Sequence, residues 1–126
     1  MNFEEIVQNI RQKMPKVITK ALPKEIAVIS VPTQKSKVLN QVYRGKNTST
    51  NVLSFYYDKS YGEIIVCPSV VREEAKKQGN TYTYQMTWMI VHGMLHLAGM
   101  HHEKSEFLAK NVEALEEQVL EKIEGK

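Results

Sequence analysis

"HGMLHLAGMHH", residues 92 to 102, contains all four histidines of a 126-residue chain. His92 and His96 stand four apart in a segment whose apolar residues recur at helical spacing, so both imidazoles project from one face about a turn apart, the separation at which two rings can hold one ion. Gly99 falls where that helix must stop and the backbone reverse. His102 follows closely enough for the reversal to bring a third imidazole to the other side of the same ion. Three neutral imidazoles suit one Zn2+ and leave its fourth position open for water. His101 is the alternative third ligand. If His102 ligates, His101 is either a proton carrier beside the metal or an exposed turn residue.

A histidine pair at this spacing is, by itself, more often a helix surface or a satisfied core feature than a metal site. The full pattern says more. H-x3-H-x5-H, with a glycine three residues after the second histidine, coincides with the metzincin peptidase pattern H-E-x-x-H-x-x-G-x-x-H at every ligand position and at the glycine. One position departs: the peptidase general base is a Glu beside the first ligand, and Gly93 stands there. Without that carboxylate, peptide hydrolysis lacks the group that deprotonates the attacking water and carries the proton to the leaving amine.

Working outward, the helix of the motif is expected over about residues 82–98, with Trp88, Met89, Val91, Leu95 and Leu97 on its periodic run. A last amphipathic helix is expected from Glu103 to Lys122, with Phe107, Leu108, Val112, Leu115, Val119 and Ile123 inward and its acidic residues outward. Upstream, Pro68 suits the first position of a helix carrying Val70, Val71 and Ala75 and ending at Gly79. "NVLSFYY" (51–57) and "EIIVC" (63–67) read as strands joined by a turn over Asp58 to Gly62, and such neighbours pair as a hairpin. "EIAVISV" (25–31) is a further strand. Thr33 is expected to cap a helix with Val38, Leu39, Val42 and Tyr43 on one side, ending before Gly45. Phe3, Ile6, Val7, Ile10 and Met14 make a first helix closed by Pro15. Helices and strands mixed, followed by three helices in a row, indicate an α+β fold with helices packed on a small sheet, as one domain over 1–126.

Composition limits the rest. One cysteine, Cys67, permits no internal disulfide, which suits a reducing compartment, so a cytoplasmic location is the expectation. Cys67 itself reads as a small buried residue, with a fourth metal ligand or reactive thiol as the alternative. No apolar run approaches the length that spans a bilayer, and the N-terminal "MNFEEIVQNI" lacks the order of a signal peptide, so neither a membrane protein nor an exported one is expected. Residues 1–66 carry ten Lys/Arg against five Asp/Glu, and residues 67–126 seven against nine. A basic bias in the first half is compatible with an anionic partner such as RNA, or with a solvated surface.

The assembled residues resemble the YbeY family of bacterial endoribonucleases, whose signature is H-G-x-L-H-L-x-G-Y-D-H. His92, Gly93, Leu95, His96, Leu97, Gly99 and His102 match it. "LNQVYRGKNTSTNVLSF" (39–55) and "GEIIVCPSVVREEAKKQG" (62–79) are similar to other segments of the family, so the likeness spans roughly residues 36–120. The resemblance implies a zincin-like α+β fold with a small mixed sheet and the metal site at the end of a helix in the C-terminal half. It also implies His92, His96 and His102 on one Zn2+, and hydrolysis of ribosomal RNA in its maturation and in ribosome quality control. The ribosome, its small subunit and associated proteins are the implied partners. A functional arginine in the family's R-G-K segment falls on Arg44. A guanidinium grips a phosphate with two parallel donors and steadies the charge that grows in the transition state, although a loop arginine beside Lys46 can equally be a solvated charge. The family's Tyr-Asp before the last histidine is Met100-His101 here, which puts any role of that Asp in doubt.

Two other functions remain open on the residues alone: a non-catalytic ribosome- or RNA-binding module whose metal only pins the turn, and a metallopeptidase whose carboxylate comes from elsewhere, such as Glu63. Ser54 and Thr50 are weak candidates for phosphate contacts, and Tyr56, Tyr57, Tyr61, Tyr82, Tyr84 and Trp88 for stacking on bases, with packing the ordinary role of such rings.

Overall fold

The computed structural model describes residues 1–100 and 106–124. Its elements run α1 (Phe3–Lys13), α2 (Lys16–Thr19), β1 (Glu25–Ser30), α3 (Thr33–Arg44), β2 (Val52–Tyr56), β3 (Tyr61–Val66), α4 (Pro68–Gln78), α5 (Tyr82–Leu97) and α6 (Glu106–Ile123). The three strands form one mixed sheet in the order β1-β3-β2, with β3 parallel to β1 and antiparallel to β2. The expected α+β class and hairpin are both present. The short α2 after Pro15 was not foreseen.

Residue pairing assigns the sheet's faces. Val52 opposes Val66, Ser54 opposes Ile64 and Tyr56 opposes Gly62, while Ile26 and Val28 of β1 oppose Gly62 and Ile64. Side chains alternate across a strand, so these residues share one face, and α5 packs there. A helix apolar on every side belongs inside a protein. α5 comes close to that condition, since Met86, Ile90, Val91, Met94 and Leu95 are fully buried. It touches β2 and β3 on one side and α1, α4 and α6 on the others. Val7 and Ile10 of α1, Val71 of α4, and Val112 and Val119 of α6 complete the core around it.

Local chemistry sets the element ends. The Asn2 side chain accepts the Glu5 N–H at 3.1 Å and caps α1, and Pro68 opens α4. Thr81 caps α5 by accepting the Tyr84 N–H at 3.1 Å. Thr33 was expected to cap α3, but Pro32 takes that place and Thr33 is the first helical residue. The hairpin turn is shorter than expected. Asp58 Oδ1 accepts from the Ser60 N–H, the Ser60 hydroxyl and the Tyr61 N–H, which closes the turn early and leaves Tyr61 and Gly62 to join β3.

α3 departs most from expectation. Val38, Val42 and Tyr43 are exposed, and its buried residues are the polar Ser36 and Asn40. Buried loop backbone must find hydrogen-bond partners, and these two side chains provide them. Ser36 Oγ donates to the Thr50 carbonyl at 2.8 Å and accepts the Thr50 N–H at 2.9 Å, while Asn40 Nδ2 donates to the Thr48 carbonyl at 2.8 Å. The polar face of α3 thus pins the basic loop that leads into β2.

Candidate active site

α5 ends in a reversal. The Met100 N–H reaches back to the Leu95 carbonyl and the Gly99 N–H to the His96 carbonyl, both at 2.9 Å, with Gly99 at φ 91°. Only glycine adopts that backbone without strain. The chain therefore turns where the sequence predicted. His101 and His102, the alternative third ligands, lie outside the described residues, and among the described residues no group of three metal-ligating side chains is assembled.

The first two candidate ligands are brought together. The rings of His92 and His96 lie 4.6 Å apart, centroid to centroid. Both line a cleft of about 530 Å³ whose other walls are Tyr43, Arg44 and the edge strand from Asn51 to Phe55. Arg44, the last residue of α3, thus opens onto the same space as the histidines, although it lies 48 residues before His92 in sequence. β2 presents its outer edge there. Asn51 accepts from the Cys67 N–H and Tyr57 donates to the Tyr61 carbonyl, so in the antiparallel pattern the N–H and C=O groups of Val52, Ser54 and Tyr56 point away from β3.

His92 is held from behind. Its Nδ1 lies 2.5 Å from Glu116 Oε1, and Trp88 Nε1 donates to Glu116 Oε2 at 2.8 Å. Glu116 is 5 % exposed, which corrects the expectation that the acidic residues of the last helix all face outward. Its burial follows from position: Val112, Glu116 and Val119 fall on the inward stripe of α6. A carboxylate interrupting that stripe was the signal available in the sequence. Trp88, considered only as a base-stacking or packing ring, sits one turn before His92 on α5 and serves as a donor instead.

Gly93 faces the sheet. A Cβ there would lie 3.0 Å from Ile64 Cγ2 and 3.0 Å from Ser54 Oγ, and Ser54 Oγ donates to the Gly93 carbonyl at 3.1 Å. The seam between α5 and the hairpin is thus already tight at the position where the peptidase pattern puts a glutamate. The substitute carboxylate considered for a peptidase, Glu63, is on the opposite sheet face, because it pairs with Phe55 and alternates with Ile64. There it accepts from the hydroxyls of Tyr57 and Tyr61 at 2.9 and 2.7 Å, and its hydrogen bond pushes the Tyr61 phenol up to about 12.

Cys67 is buried at the start of α4 and lines none of the cavities that border the histidines. Thr50 is tied to Ser36 through its backbone. Tyr56 and Tyr57 are exposed. A larger depression of about 770 Å³ between α1 and β1 is remote from the histidines and Arg44.

The whole-chain comparison is decisive. Residues 1–124 match the family model described as Endoribonuclease YbeY. The chain belongs to the YbeY endoribonuclease family. It is 35% identical over 111 residues to the endoribonuclease YbeY of Thermotoga neapolitana, covering 86% of this chain and 74% of that one. It is 40% identical over 110 residues to the YbeY of Acinetobacter baylyi, covering 79% and 69%. Its fold is similar to the solution structure of TM1509 from Thermotoga maritima, with a TM-score of 0.65 and 31% identity over 99% of this chain and 85% of that one. The resemblance read from the histidine motif therefore extends over nearly the whole of this chain.

Proposed function

We propose that this protein is a zinc-dependent endoribonuclease with a zincin-like site, acting in the cytoplasm on single-stranded segments of ribosomal RNA during its maturation and in quality control of the ribosome. Family membership supports the nuclease activity. The observation that carries the mechanism is the convergence of His92, His96 and Arg44 on one cleft. The donor set fits a divalent ion: two imidazoles on one helix face, one of them backed by a buried carboxylate, with His102 proposed as the third ligand beyond the Gly99 reversal. Bound there, Zn2+ supplies Lewis acidity toward the scissile phosphate.

The protein's own residues do the rest. Arg44 binds the phosphate with paired donors and offsets the charge that grows on its oxygens as a water or the ribose 2′-OH bonds to phosphorus and the leaving oxygen departs. His92 and His96 orient the site, and the edge of β2 bounds the strand lying in the cleft. Partners at the small ribosomal subunit follow from the substrate. The peptidase reading loses its support, since position 93 is a glycine held tightly against Ile64 and Ser54 and Glu63 lies across the sheet.

The test uses a labelled single-stranded ribosomal RNA fragment. Purified protein should cleave it, lose activity on metal depletion, regain it with zinc, and fall about 100-fold or more in rate as Arg44→Ala, the scale expected for removing one donor to a developing oxyanion. Cleavage indifferent to both the metal and Arg44 would sink the proposal.

A further inference from the structure

We infer that Glu116, braced by the Trp88 indole, is a positioning residue that dictates which ring nitrogen His92 offers to a cation. The inference rests on the reading of His92 as a metal ligand and concerns how that ligand is prepared. A buried carboxylate is costly unless both oxygens are satisfied, and Glu116 is the one acidic side chain buried among the described residues. Its oxygens are divided, Oε1 to His92 Nδ1 and Oε2 to Trp88 Nε1. Trp88 and His92 stand one turn apart on α5, so a single carboxylate from α6 bridges both.

The chemistry follows from donor and acceptor counts. An ionised carboxylate only accepts, and an indole N–H only donates. Facing Glu116, a neutral His92 must carry its proton on Nδ1, which makes Nε2 the nitrogen with a lone pair for the ion. The indole in turn prevents the carboxylate from rotating away. A purely structural role is a poor explanation, because an apolar side chain of similar volume beside Val112 and Val119 would avoid the cost of burying a charge.

Glutamine separates the roles. Its amide has one acceptor and one donor end, whereas this position demands two acceptors. With the indole present, the amide oxygen is drawn to Trp88 and the amide nitrogen donates to His92 Nδ1, which forces the proton onto Nε2 and removes the ligand's lone pair. In Trp88→Phe with Glu116→Gln the oxygen can turn to His92 and restore the useful tautomer.

Two measurements test this. Nitrogen-15 shifts of His92 in the metal-free protein should report the proton of the neutral ring on Nδ1, and this needs no variant. Zinc affinity by chelator competition should fall about 10- to 100-fold in Glu116→Gln and recover in part in the double variant, with folding of each checked by circular dichroism. A proton on Nε2 in the native protein, or a folded Glu116→Gln that binds zinc like the native chain, would overturn the inference. Failure of the native protein itself to bind zinc would instead remove the proposed function, and this inference with it.

Discussion

The wall of the cleft that carries the histidines and the wall that carries Arg44 face the same space but are held by different forces. α5 is clamped by burial: Ile90, Val91, Met94 and Leu95 are inaccessible to solvent, and each such side chain contributes about 1.5–3 kcal/mol relative to exposure. α3 reaches the site with Val38, Val42 and Tyr43 in solvent and is tied to the following loop by Ser36 and Asn40, through hydrogen bonds worth about 1 kcal/mol each. The difference matches the proposed tasks. Ligands of a metal ion must be held to within about 0.5 Å, whereas an arginine that grips a flexible polyanion works from an exposed position. One wall is built for fixed geometry and the other for access.

The comparison breaks most visibly at Gly93. Replacing it by Glu restores the peptidase motif in the sequence but drives a charge into the seam against Ile64 and Ser54. Chemical denaturation should show a loss of about 3–5 kcal/mol, the scale of an uncompensated buried charge, with no peptidase activity gained. A variant that kept native stability would mean that the histidine wall is not closed by packing.

On the opposite wall, Ser36→Ala removes one hydroxyl that both donates to and accepts from Thr50. The expected loss is smaller, about 1–2 kcal/mol, and its functional mark differs: weaker RNA binding, seen as a raised KM, with zinc affinity unchanged. Equal loss of zinc affinity would show that the two walls are coupled rather than independently held.

The same contrast decides what could be read from the sequence. The histidine wall was largely legible because its determinants are local: the i, i+4 pair, the apolar run from Met86 to Leu97, and Gly99 at the reversal all lie within one helix and its end. Glu116 was legible in part, as a carboxylate on an apolar stripe, but its partners Trp88 and His92 lie on another helix, and no spacing rule connects them. The Arg44 wall was not legible from periodicity. Apolar residues on α3 suggested the wrong buried side, because the need for Ser36 and Asn40 arises only when the loop at 46–51 folds back over them. Arg44 itself was found through family likeness, and its approach to the histidines depends on the crossover from β1 to the far edge of the sheet. Glu63 was misjudged for want of the register, which puts it on the opposite face.

The smallest expected effect lies at the far end of β2, where the hairpin turn is fastened by Asp58. The Ser60 hydroxyl, followed by the backbone N–H groups of Ser60 and Tyr61, holds the Asp58 carboxyl below its ordinary value of 3.8. The folded state therefore prefers the ionised form. Its contribution is complete above the unfolded value and is lost as pH falls through the lowered folded one. Asp58→Asn keeps an oxygen that accepts but cannot titrate, so the native protein should lose slightly more stability than the variant as pH falls from about 5 through about 3, the range of ordinary carboxylates. Denaturant midpoints of the two proteins across that range measure the gap. RNA cleavage at neutral pH should not distinguish them, since the strand is held beside the cleft by Ser54 on Gly93 and by the Ser36–Thr50 pair, both upstream of the turn. A marked loss of cleavage in Asp58→Asn would mean that the turn, and not the α3 loop, sets the position of the strand edge that borders the histidines.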